Sequence, residues 1–371
     1  MTESLDELRA RIAAVDASLV ELVASRLALA RAVGEAKRAA GSPVRNYATE
    51  SEVLGRFHAL ARDAGLDDRL AERIGHLLIE EAVYTQESGL AIGAEREGRG
   101  RRILIVGGAG KIGRWLADFF ASQGHGVTTL DPAGAVPGFP AERDLARGVR
   151  AADAVIVTTP LAVGREVLGQ IVALHPTALV ADAFSLKSHV LDVLEDAAGA
   201  RGLRVASVHP LFGPGVRTLA GRVMAVCDCG NAAAADDAAA LFTDTALTIT
   251  RLPVARHDEY MQYVLGLSHL VAILFFTTLA RSGLPFSDLS QVASTTFLKE
   301  ARTAAEVARE SPNLYYEIQR LNRHSGELFA LVRSCLADVE RAALADDPGP
   351  FAELMRAGRD FFPGSLPAEL G

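Results

Sequence analysis

The stretch RRILIVGGAGKIG at residues 101–113 constrains the fold more than any other part of this chain. A charged edge gives way to the apolar β-forming run Ile103, Leu104, Ile105 and Val106. Glycines follow at Gly108, Gly110 and Gly113, and Ile112, Trp115, Leu116, Phe119 and Phe120 then recur at helical spacing. The pattern predicts a strand, a tight turn and a helix N-terminus. Glycines let the backbone turn sharply and approach a pyrophosphate, whose charge the free N–H groups of a helix start favour. A G-x-G-x-x-G is weak evidence alone, but here strand and helix flank it as the motif requires. Gly108, Gly110, Lys111, Ile112 and Gly113 are therefore candidate dinucleotide contacts. A hundred residues precede the loop, so a separate module comes first.

After the loop the α/β alternation continues. A second strand, His125 to Leu130, ends in Asp131. An acidic residue about 20 residues past the glycine loop suits ribose hydroxyls and repels a 2′-phosphate, which favours NAD over NADP; otherwise Asp131 is a turn residue before Pro132. Ala154 to Thr158 reads as a strand ending at Thr159-Pro160, two further candidate cofactor contacts. Leu179 to Ala183 reads as another, followed by Phe184, Ser185, Leu186 and Lys187, and Leu203 to Val208 runs into HPLFGP. Functional residues of open α/β sheets gather at the carboxyl ends of strands. Ser185, Lys187 and His209 all sit there, although a histidine before proline is often structural.

Residues 1 to about 90 read as helices. Leu8, Val15, Leu22 and Leu29 fall seven apart, with Ile12, Leu19 and Val33 on the alternate positions of the same seam. A long helix over about residues 5–39 follows, with Arg26 and Lys37 on an otherwise buried stripe. A second helix begins near Tyr47, and a third spans about Asp67 to Ser88. The two cations either snorkel or pair within a helical hairpin, or they grip an anionic ligand.

Beyond residue 250 no strand pattern remains. Apolar helical runs cover Val264 to Leu279, Leu289 to Arg309 and Leu314 to Ala342. Tyr263 to Ala280 is about the length of a membrane span. It carries Ser268 and His269 and reads as a buried core helix. A net charge of −8 with scattered basic residues argues against nucleic acid. The N-terminus lacks an apolar signal region, so the expectation is cytoplasmic. Cys227 and Cys229 form either a metal or redox pair or, as two apolar-run neighbours, buried reduced thiols; no metal is expected.

Arg9, Arg26, Lys37, Arg45, Glu50 and Gln86 resemble, in order and spacing, the all-helical chorismate mutases. The GGAGKIG loop and the stretches FSLK, SVHPLFGP, RVMAVCD, RHDEYMQYVLGLSHL and SPNLY resemble prephenate dehydrogenase. Together the order is similar to the bifunctional chorismate mutase–prephenate dehydrogenase family. The resemblance implies a multidomain chain: an all-α mutase-like module at 1–93, a Rossmann-type NAD-binding domain at 100–250, and an all-α dimerisation domain at 251–371. It implies that intertwined long helices form a homodimer to which Arg9 crosses. Arg26 would hold a carboxylate, Lys37 and Gln86 the ether oxygen, and Glu50 the C4 hydroxyl. In the dehydrogenase, His209 would accept the substrate hydroxyl proton or its hydrogen bond and Ser185 would share that hydroxyl. His269 and Lys187 would line the substrate site. Small-molecule substrates, chorismate and prephenate, are implied, and no membrane.

Three positions depart from the family pattern: Asn46 and Thr49 where it has Asp and Arg, and Glu306 where an Arg binds the ring carboxylate. Arg302 or Arg309 on the same helix face stands in for the last, with Arg302 preferred. The departures raise two alternatives: substrates that are the 4-amino-4-deoxy analogues, or a non-catalytic mutase-like module.

Overall fold

The computed structural model describes residues 4–39, 47–87, 100–216, 219, 222–242 and 247–362. Three helices come first: α1 (Leu5–Ala39), α2 (Tyr47–Asp63) and α3 (Asp68–Glu87). Both α1 and α2 pack on α3. The seam of α1 is not buried within the protomer: Leu8, Ile12, Val15, Leu19, Leu22, Leu29 and Val33 are all exposed, while Ala30 is buried. The helix outruns α3, which packs on it, so its apolar stripe has no cover among the described residues.

The middle of the chain folds around one eight-stranded sheet in the order β3-β2-β1-β4-β5-β6-β7-β8. Its elements, in sequence, are β1 (Arg102–Val106), α4 (Lys111–Ser122), β2 (Gly126–Leu130), β3 (Ala141–Glu142), α5 (Leu145–Ala151), β4 (Ala154–Val157), α6 (Leu161–Ala173), β5 (Leu179–Asp182), α7 (Leu191–Ala198), β6 (Val205–Pro210), β7 (Val223–Asp228), α8 (Ala232–Ala240) and β8 (Thr248–Pro253). All pairings are parallel except β6 with β7, which is antiparallel. Helices cover both faces. Leu116, Phe120 and Phe242 pack on one side; Leu168, Ile171 and Leu194 pack on the other. This is why β4 reads as an unbroken apolar run rather than an alternating one. β8 continues to Pro253, past the boundary at 250 expected from sequence.

Helices α9 (Val254–Met261) and α10 (Ser268–Arg281) are joined by a π-helical turn, Gln262–Leu267, into one rod. Then come α11 (Phe286–Gln291), α12 (Thr295–Arg309), α13 (Pro312–Leu321), α14 (Ser325–Ala343) and α15 (Gly349–Phe361). Two of the long runs expected from sequence are each broken in two. Ser294 caps α12 by accepting from Phe297 N–H at 3.1 Å, ending the run after α11. Asn322 separates α13 from α14, with its Oδ1 accepting from His324 N–H at 2.9 Å. The apolar rod is also not a buried core helix. Val254–Arg281 is long and apolar enough to cross a bilayer, yet Ala272 is the one buried residue of α10, and Val264, Val271 and Leu274 are exposed.

Candidate active site

The glycine loop does what the sequence pattern requires, but the sharpest turn is one residue earlier than the motif. Gly107 takes φ +91, and a Cβ there would lie 2.8 Å from the Thr158 carbonyl carbon. A Cβ on Gly108 would meet Thr129, and one on Gly113 would fall 2.2 Å from Gly107 O. Gly110 precedes the first residue of α4, Lys111. Asp131, just past β2, accepts from Ala109 N–H at 2.9 Å and from Ala133 N–H at 2.8 Å. It stands beside the loop where a ribose would lie against a dinucleotide's pyrophosphate. Thr159 follows β4 at the same edge, and its buried Oγ1 has no partner among the described residues. A cradle that excludes Cβ atoms, a free helix start, an adjacent carboxylate and an orphaned hydroxyl fit a dinucleotide.

Next to that cradle lies a buried polar knot at the ends of β5 and β6. Lys187 is 1% exposed, and its Nζ donates to Asp182 Oδ1 at 2.6 Å, Phe184 O at 2.8 Å and Val208 O at 2.9 Å. An ammonium has three donors, so none remains for a substrate. Lys187 is thus corrected from a substrate ligand to the tie that fixes the residue before His209. His209 Nδ1 lies 3.0 Å from His257 Nε2, and His257 Nδ1 lies 2.6 Å from Asp258 Oδ1. Asp258 also accepts from the backbone N–H groups of Lys187 and Ser188. Burial, with His257 and the Lys187 ammonium alongside, holds His209 well below the ordinary imidazole value. Burial acts against the Asp258 carboxylate, but hydrogen bonds from His257 and Ser188 keep it below its usual range. Ser185 is half-buried in the loop after β5.

The helical part closes over this edge. Asn322 Nδ2 donates to Asp258 O at 2.9 Å, and Arg323 N–H donates to Ser188 Oγ at 3.4 Å. Lys111 pairs with Glu310 at 3.2 Å, joining the glycine loop to the C-terminal end of α12. His269 packs against Tyr315 in a tilted arrangement with ring centroids 4.4 Å apart, and burial pulls its pKa down to about 4. His257 and His269 are twelve residues apart, which in a regular α-helix is a third of a turn out of phase. The wider π-helical turn between them takes up part of that third, a recurring role of such turns at functional sites.

Other expected residues are more scattered. Arg302 and Glu306 are exposed on α12, and neither has a hydrogen bond or ion pair among the described residues. The substitution of Arg302 for the missing Arg thus has no contact supporting it among the described residues. Arg26 is half-buried and donates to Leu78 O of α3 at 2.5 Å. Arg9 is exposed beside Asp6 at 3.6 Å, and Lys37 is half-buried near the end of α1. Arg45 lies outside the described residues, as do the side chains of Glu50 and Gln86. Cys227 and Cys229 are both buried and free. Burial pushes the Cys227 thiol up to about 12 and raises Cys229 as well, which suits inert packing rather than redox chemistry. Sequence reasoning missed Gly107, Asp182, His257 and Asp258 as site residues. Adjacent His-Asp before an apolar helix was the signal for the last two.

Fold and site together define a nucleotide-binding oxidoreductase with a helical cap and a separate helical module in front. Three family models match: chorismate mutase type II over residues 8–87, the prephenate dehydrogenase nucleotide-binding domain over 136–230, and the prephenate dehydrogenase dimerization domain over 253–354. The chain belongs to the bifunctional chorismate mutase–prephenate dehydrogenase family. The T-protein of Enterobacter agglomerans is 26% identical over 318 residues, 86% of this chain and 82% of that protein. The 4-amino-4-deoxyprephenate dehydrogenase of Streptomyces pristinaespiralis is 28% identical over 236 residues, 60% of this chain and 77% of that protein. The fold matches prephenate dehydrogenase from A. aeolicus, solved with hydroxyphenyl propionate and NAD+, with a TM-score of 0.58 at 17% identity. That match covers 72% of this chain and 98% of the other.

Proposed function

We propose that this chain rearranges chorismate to prephenate and oxidatively decarboxylates prephenate to 4-hydroxyphenylpyruvate, in the cytoplasm and as a homodimer. The observation that carries the second step is His209, set at the end of β6 between the dinucleotide cradle and the His257–Asp258 pair. Bound NAD+ supplies the hydride acceptor for C4 of the ring. The chain's own work is to place and deprotonate the C4 hydroxyl. His209 takes that proton while Ser185 orients the oxygen. His269, over Tyr315, lines the substrate side, and the ring carboxylate departs as CO2. In the mutase the protein need supply only positioning and electrostatics. Arg26 and Lys37, with Arg9 from the partner and Arg45, Glu50 and Gln86, are the residues assigned to that task. The uncovered stripe of α1 and the uncovered face of α10 support the homodimer, because both are apolar surfaces a second copy would bury.

Purified protein given chorismate and NAD+ should release NADH and 4-hydroxyphenylpyruvate. Arg26→Ala should abolish turnover from chorismate yet leave turnover from prephenate intact. Faster NADH formation from the 4-amino-4-deoxy substrates would instead favour the reading motivated by Asn46, Thr49 and Glu306. A non-catalytic first module would show as turnover of prephenate alone.

Asp131 is assigned to the adenosine ribose. A hydrogen bond to a charged group contributes about 1.5–3 kcal/mol, so Asp131→Ser should raise the KM for NAD+ at least about tenfold. It should also narrow the preference over NADP+. Initial rates with both cofactors at saturating substrate check this.

A further inference from the structure

The histidine pair at the end of β6 has a definite proton count. Asp258 accepts from His257 Nδ1 at 2.6 Å and from two backbone N–H groups, Ser188 at 2.6 Å and Lys187 at 2.9 and 3.0 Å. Backbone N–H groups only donate, so Asp258 acts as the acceptor and His257 Nδ1 carries a proton. His257 is 0% exposed; burial lowers its pKa against the opposing Asp258 hydrogen bond, which favours the ring carrying that single proton. Its Nε2 is then a lone pair, 3.0 Å from His209 Nδ1. That contact is a hydrogen bond only if His209 donates from Nδ1.

We propose that His257, held by Asp258, is a positioning residue that locks His209 in the Nδ1–H tautomer and so leaves its Nε2 free to accept the substrate hydroxyl proton. The proposal rests on the dehydrogenase reading above. When Nε2 takes the proton, the Nδ1–H bond to His257 remains and strengthens as the ring becomes cationic. The Asp258 carboxylate lies one ring away to stabilise that charge. The groups facing His209 are His257 and Asp258 from the middle of α9, and Lys187 from the loop after β5. Of these the lysine opposes the cation and the carboxylate favours it.

The test compares His257→Met, whose thioether sulfur is only a weak acceptor, with His257→Gln, whose amide oxygen reaches the place of Nε2. Neither touches the backbone hydrogen bonds to Asp258. His257→Met should lower dehydrogenase kcat by about tenfold or more, with both KM values within about twofold, and His257→Gln should restore most of the rate. Nitrogen NMR of the ligand-free full-length protein gives an activity-independent readout. The His209 ring should show a protonated Nδ1 and a bare Nε2 in the native chain, and lose that state in His257→Met. Wild-type kcat in His257→Met, equal losses in both variants, or an Nε2–H ring at His209 in the native chain would each overturn the proposal. Should His257→Met fail to fold, the native spectrum and His257→Gln still decide. If the native chain turns over no substrate, the function proposed above fails while the tautomer result stands by itself.

Discussion

Replacing His209 with Asn should lower the dehydrogenase kcat by about 10²–10⁴-fold, the range a positioned general base contributes. The asparagine amide sits where Nδ1 does, so it can still donate to His257 Nε2 and keep the buried knot satisfied. What disappears is Nε2, the one nitrogen of His209 with no partner among the described residues. The KM for NAD+ should hardly move, and the mutase should be unaffected, because the residues assigned to it all lie before the glycine loop, at positions 9–86. The wild-type pH profile makes a linked expectation. Burial, His257 and Lys187 depress the His209 pKa, and Asp258 offsets this in part. A depressed imidazole keeps its lone pair as pH falls through the ordinary value of about 6.5. The acidic limb of kcat should therefore lie below that value. A His209→Asn enzyme with wild-type kcat would remove His209 from the chemistry altogether.

The architecture was legible because the chain states it locally. The strand–glycine–helix run at 101–113 and the strand ends at Asp131, Thr159, Ser185 and His209 can each be read within a dozen residues. What escaped was set by distant partners. His257 and Asp258 sit 48 and 49 residues after His209, and only folding brings α9 onto the end of β6. The π-helical turn at Gln262–Leu267 leaves no mark in an apolar run. Burial was also misjudged in both directions. The α1 seam and Tyr263 to Ala280 have the periodicity and composition of core, yet the described residues leave much of both uncovered. Lys187, read as a substrate ligand from its place at a strand end and from the resemblance, is enclosed. Binary pattern says that a face will be covered; it does not say by which chain.

Lys187 yields the largest expected effect on stability. Its Nζ donates to Asp182 Oδ1, the Phe184 carbonyl and the Val208 carbonyl, and both charged side chains are at most 1% exposed. Lys187→Met keeps the aliphatic stem but leaves a buried carboxylate with no counter-charge. Breaking a buried pair from one side costs about 3–5 kcal/mol. For a domain of this size that is a fall in Tm of about 6–20 °C. Asp182→Asn added to Lys187→Met removes the stranded charge, so the double variant should melt above the single one, the coupling expected of residues in direct contact. Thermal unfolding of the three proteins at neutral pH decides the matter. If Lys187 served the substrate instead, Lys187→Met would melt like the native chain and show its defect in the KM for prephenate. A lower Tm with the native KM would mean that this lysine acts through the sheet, by holding the carbonyl of Val208 and with it the backbone that presents His209.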